Sequence, residues 1–199
     1  MWNRKMLVLG LSMGAGFMVA PVGATVVNFN SDSWGVKPNG FVSVDSSLVS
    51  FTDSIGANLV TQALPESNNS IALIVLQDDP SKLLMDFTTP VSSLSLDFGN
   101  DDPGYITTAG YAVMRAFNGA TLVGETDVHV NANDLMDQTI SLSGVGNFNH
   151  AEFFYADASK NPTNLSEVVD NVTFTAIPEP TLLGMLMPLG LMLRRRRKD

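Results

Sequence analysis

Across residues 25–176 the apolar side chains come in short runs interleaved with polar ones. In Val91-Ser92-Ser93-Leu94-Ser95-Leu96-Asp97-Phe98, the residues Leu94, Leu96 and Phe98 fall on one side of the chain. A period of two marks a half-buried strand. The same pattern predicts strands over 25–29, 41–44, 48–52, 71–77, 83–88, 111–117, 121–125, 126–130, 139–143, 151–156 and 168–175, with Gly, Asn, Asp and Pro between them. Asn118-Gly119 predicts a tight hairpin, because this pair tolerates the positive φ that such a turn requires. No window keeps a helical period and no internal repeat is evident. The predicted fold is all-β, a jelly-roll-like β-sandwich occupying 25–176 as one domain.

The ends follow a different pattern. Arg4 and Lys5 precede an apolar stretch over 6–19, and Val22-Gly23-Ala24 supplies small residues for cleavage. This order predicts a secretory signal peptide over 1–24, since about 14 apolar residues fall short of the roughly 20 that span a bilayer. Gly10-Leu11-Ser12-Met13-Gly14 fits the serine-hydrolase pattern G-x-S-x-G, but a signal peptide has no strand-turn-helix setting for its strained elbow. At the other end, Ile177-Pro178-Glu179-Pro180 leads into the uncharged segment 181–193 and then Arg194, Arg195, Arg196, Arg197 and Lys198. The segment predicts a short transmembrane helix of about 20 Å, completed by snorkelling arginines that act as a membrane stop over 194–198. The positive-inside bias places that block in the cytoplasm and residues 25–180 across the membrane. Pro178 and Pro180 fix φ and lack amide donors, so the linker between them stays extended.

Charge sharpens this reading once it is located. Of 11 basic residues only Lys37, Lys82, Arg115 and Lys160 lie within 25–193, against 19 acids, so that stretch carries 4 minus 19, or −15. Such a surface repels phosphate backbones, and no nucleic-acid partner is expected. With no cysteine there is no disulfide, thiolate metal site or cysteine nucleophile. The two histidines, His129 and His150, sit in strand-like runs, and there is no zinc helix, P-loop or dinucleotide fingerprint. No catalytic residue is assigned. Oxygen-rich loops at 30–32, 78–79 and 97–102 have the donors that calcium takes, although Asp and Asn also serve turns by bonding nearby amides. No metal or cofactor is assigned; the candidate ligands of a structural calcium are Asp170 with Asn30 or Asp32. Trp34 and Tyr105 are the aromatics placed to stack on a sugar ring.

Pro178-Glu179-Pro180, the apolar segment with Gly184 and Gly190, and the arginine cluster together resemble the PEP-CTERM sorting signal of exosortase-processed bacterial surface proteins. The resemblance covers 177–199. It implies export through the secretion machinery, a transient inner-membrane anchor recognised by exosortase at Pro178, Glu179 and Pro180, and delivery to the cell surface or extracellular matrix of a Gram-negative bacterium. The tract 91–174, through 96–102, 115–124 and Val169-Asp170-Asn171-Val172-Thr173-Phe174, resembles the carbohydrate-binding-type jelly rolls often found ahead of this signal. The expected function is non-enzymatic, a surface or matrix protein whose sandwich binds exopolysaccharide. The alternative is an exported carbohydrate-active or ester hydrolase using carboxylates on one face, or His129 or His150 as base.

Overall fold

The computed structural model describes residues 23–67, 70–99, 110–131, 133 and 135–178. The expected signal peptide as far as residue 22, Glu179, Pro180, the expected membrane segment 181–193 and the arginine block 194–197 lie outside the described residues. Among the described residues no helix is long and apolar enough to cross a membrane.

Among the described residues the ten strands are β1 Thr25–Val27, β2 Gly35–Lys37, β3 Val49–Asp53, β4 Leu59–Ala63, β5 Ile71–Val75, β6 Leu83–Gly99, β7 Tyr111–Asn118, β8 Thr121–His129, β9 Gln138–Ala156 and β10 Glu167–Ala176. All pair antiparallel in one sheet of order β2-β4-β5-β10-β6-β9-β7-β8, with β1 added to β10 and β3 to β6. The all-β class predicted from the period-two pattern is the class observed. Predicted strands 83–88 and 91–98 are one long β6, and 139–143 and 151–156 are one long β9.

These long strands make a sandwich from a single sheet. Along their shared ladder Asp86 pairs with His150, Val91 with Phe148 and Ser93 with Ser143, so each strand carries extra residues that the other does not match. Unmatched residues bend a ladder, and Gly144 and Gly146, at φ 72 and 94, supply conformations that side chains disfavour. One half of the sheet holds β1, β2, β4, β5, β10 and the later part of β6. The other holds β3, the early part of β6, the later part of β9, β7 and β8. Their inner faces meet in one core, where Phe98 packs on Phe153 at 5.7 Å, Phe87 on Phe174 at 5.1 Å and Phe29 on Phe51 at 5.3 Å. Burying a Phe fully contributes about 1.5–3 kcal/mol, and this row of rings fixes the spacing of the halves. Tyr155 reaches across as well, donating its hydroxyl to the Gly99 carbonyl.

Three expectations need correction. Residues 41–44 do not form a strand; only Phe41 bridges to Phe51. Ser43 Oγ donates to Asp32 and Val44 N donates to the same carboxylate, so a side chain replaces the ladder there. Strands β2 and β4 lie where the sequence shows no alternation: in β4 Val60 and Thr61 are both buried and the period of two disappears, and the three-residue β2 pairs with it at the sheet edge. In the hairpin, Asn118 is still paired, with Thr121, and the two-residue loop is Gly119-Ala120 with positive φ at Gly119 alone. That is the requirement of a type II′ turn rather than the type I′ turn of an Asn-Gly loop.

Candidate functional site

The outward side of β6, β9, β7 and β8 holds an interlocked set of ion pairs and ring contacts. Alternation puts Ala112, Met114 and Ala116 of β7 into the core and turns Tyr111, Val113, Arg115 and Phe117 outward. In β9 the core takes Ala151, Phe153 and Tyr155, leaving His150, Glu152, Phe154 and Ala156 on the outer side. Register then aligns these residues in rows: Phe117 opposite His150, Arg115 opposite Glu152 and Val113 opposite Phe154. On its other edge β7 sets Arg115 against Glu125, Val113 against Asp127 and Tyr111 against His129.

Each row is closed by charge. Arg115 Nε is 2.6 Å from Glu125 Oε2, Lys82 Nζ is 2.8 Å from Glu152 Oε2, and Lys160 Nζ is 2.7 Å from Asp127 Oδ2. The Arg115 guanidinium and the Lys82 ammonium also lie 5.0 and 5.2 Å from the centre of the Phe154 ring, while Lys160 sits 3.5 Å over Tyr111. Phe154 is 0% exposed although it points away from the core, because these cations cover it. Cation–π attraction strengthens as water is excluded, so the ring holds both cations in fixed positions. His150 lies 2.7 Å from Asp86 and 5.6 Å from the Phe117 ring, and His129 packs 5.3 Å from Tyr111. Both histidines therefore sit on this face. Neither is hydrogen-bonded to a serine hydroxyl among the described residues.

A second polar group lies on the other half. Asp170 accepts from Ser70 Oγ at 2.9 Å and from Asn171 N at 2.7 Å, and Asn30 Oδ1 accepts from the same Ser70 hydroxyl at 3.2 Å. The pairing of β1 with β10 thus brings Asn30 beside Asp170. Asp32 is placed elsewhere, bonded to Ser43 and Val44. Burial pushes the Asp170 carboxyl up, helped by the charges of Asp97 and Asp45 and opposed by its bonds from Asn171 and Ser70. Asp97 is itself held by Asn171 Nδ2 and Thr139 Oγ1. Among the described residues no three acidic or histidine side chains are grouped to hold a metal ion. Asp79 accepts from Ser81 N, the turn bond that Asp residues commonly make. Trp34 is 68% exposed, beside the edge strand β2 and apart from the charged rows. Tyr105 and residues 100–102 of the acidic loop lie outside the described residues.

The convergence of Lys82, Arg115 and Lys160 was not predicted. The signal was present as strand parity, since Arg115 and Glu152 alternate with alanines on the opposite side. Which strands become neighbours is not contained in parity.

No family model and no curated protein matches this chain. Among solved structures it is similar to a DUF4465 family protein from Bacteroides caccae, at 12% identity and a TM-score of 0.54, covering 78% of this chain and 100% of that one. It is also similar to an arabinose-bound α-L-arabinofuranosidase, at 12% identity and a TM-score of 0.49, covering 77% of this chain and 26% of that one. A third similarity is to a family 29 carbohydrate binding module, at 8% identity and a TM-score of 0.43, covering 78% and 90%. The first of these supports the sandwich fold.

Proposed function

We propose that the chain is a non-enzymatic exported surface or matrix protein whose jelly-roll sandwich binds a hydroxyl-rich extracellular polysaccharide across the outer face of β6, β9, β7 and β8. One observation carries this reading. Three of the four cations in 25–193, and both histidines, meet on that face, each cation beside a carboxylate. Paired charged groups act on a polyol as fixed donors and acceptors, and charge-assisted hydrogen bonds are roughly twice as strong as neutral ones. Half-buried rings at Phe117 and His150 add apolar surface for the C–H faces of a sugar. The strongly acidic remainder of the domain disfavours polyanions, so a neutral polymer fits best.

The sorting reading belongs to the same proposal. Export by the secretion machinery, recognition of Pro178, Glu179 and Pro180 by exosortase, and release from a transient membrane anchor would bring the sandwich to the extracellular polysaccharide. The binding arm is tested by pull-down of the full chain on exopolysaccharide from its host. Retention is expected, with loss of about tenfold or more in Arg115→Ala. Equal retention of the wild type and of an Arg115→Ala, Lys82→Ala double variant would remove the face from the binding site.

A further inference from the structure

Glu167, the first residue of β10, points to the same side as Val169 and therefore into the sandwich. It is 1% exposed, and neither carboxylate oxygen has a hydrogen-bond partner. Asp53, the last residue of β3, follows Val49 and Phe51 on the inner side of the opposing half and is 2% exposed. Asp79 and Ser81 reach the same end of the sandwich from the segment between β5 and β6, and the Ser81 hydroxyl is also buried and unpartnered. The other acids are already engaged: Asp53 accepts from Ile55 N and Asn58 N, and Asp79 from Ser81 N. The charged side chains acting on Glu167 are thus both acidic, and among the described residues no cation balances it. A buried carboxylate without partners costs several kcal/mol, and such a group takes up a proton instead. Burial pushes the Glu167 carboxyl well above the ordinary glutamate range, with Asp53 and Asp79 adding to the rise; the nearby Glu167 amide and Ser81 hydroxyl oppose it, although neither reaches hydrogen-bond geometry with the carboxylate.

This end of the sandwich is joined to the binding face by two short connections. Ser54, next to Asp53, donates its amide to the Lys82 carbonyl at 3.1 Å, and Lys82, next to Ser81, donates its amide to Ser54 Oγ at 2.9 Å. Lys82 is the residue that pairs with Glu152 and covers Phe154. We propose that Glu167 is a proton-operated latch, whose neutral carboxyl lets Asp53, Asp79 and Ser81 close over it and so holds Lys82 on the polysaccharide-binding face. Loss of the proton places a third negative charge among Asp53 and Asp79, loosens the Ser54–Lys82 connection and withdraws Lys82 from the face. The inference rests on the binding reading above for its consequence, though not for the latch itself.

Glu167→Gln keeps the shape and is neutral at every pH, so it mimics the closed latch. Melting temperatures of the full chain between about pH 5 and about pH 8 should fall for the wild type relative to Glu167→Gln, and exopolysaccharide retention should fall several-fold for the wild type alone. Coincident melting profiles would overturn the latch, as would a Glu167 carboxyl carbon resonance titrating in the ordinary glutamate range. Diverging melts with pH-independent retention in both proteins would overturn the link to Lys82. Diverging melts with no retention of either protein would support the latch and overturn the binding reading instead.

Discussion

Phe154 shows how a single position can serve stability and, under the proposed binding reading, recognition as well. Its ring is fully buried, yet it lies on the outward side of β9 beneath Arg115 and Lys82. Removing it takes away the shared seat of both cations. Phe154→Ala should cost about 3 kcal/mol in chemical denaturation, and it should also weaken polysaccharide retention. Arg115→Ala should cost under about 1 kcal/mol, because partly exposed ion pairs contribute little. A stability loss of similar size in both variants would show that the ring is not held as described. Gly99 marks a different constraint: a Cβ there would stand 2.8 Å from the Met136 backbone, which cannot yield as a side chain end could. Gly99→Ala should destabilise the fold by about 1–3 kcal/mol, read as a lower denaturation midpoint with an unchanged slope.

At the scale of elements, the sequence is most legible where a strand has one wet and one buried face. Leu94, Leu96 and Phe98 are buried in β6 as their spacing implies. Legibility fails where both faces are covered, as in β4, or where a side chain replaces a backbone partner, as Asp32 does for Val44. It also fails at the bends of β6 and β9, since what looked like pairs of strands separated by breakers are single strands with unmatched residues. The site was legible only in part. Strand parity puts Arg115, Glu152 and Phe154 on outer faces, but their meeting depends on β9 lying between β6 and β7, a long-range choice made by the core rather than by any local pattern. The hairpin between β7 and β8 gives a direct test of local geometry. Gly119 stands at φ 57 with open space where a Cβ would sit, so Gly119→Ala should meet no clash and cost only the backbone strain of a side chain at the first position of a type II′ turn, about 1–3 kcal/mol. Loss of several kcal/mol would mean that the loop packs against something further.

For the whole molecule, the decisive property is how unevenly charge is distributed. Within 25–193, 19 acids outnumber four cations, of which Lys82, Arg115 and Lys160 gather on one face and Lys37 lies apart, while the other seven basic residues stand at the two ends of the chain. Such a net charge repels anionic polymers, while the mixed-charge face proposed for binding fits a neutral, hydroxyl-rich partner. The terminal segments carry the expectation of delivery. Changing Pro178, Glu179 and Pro180 together to alanine should leave the protein exported but retained in the inner membrane, as cell fractionation would report. Normal surface delivery of that variant would reduce the segment to a linker. The described residues fall in a unit, Val22–Pro178, that contains every residue of the proposed binding face, so binding is separable from sorting in experiment. Nuclear magnetic resonance mapping of isotope-labelled protein titrated with oligosaccharides from the host exopolysaccharide tests the central claim most directly. The account predicts saturable shifts concentrated on Lys82, Tyr111, Arg115, Glu125, Glu152 and His150. Shifts centred on Trp34 and the edge strand β2, or none at all, would contradict it.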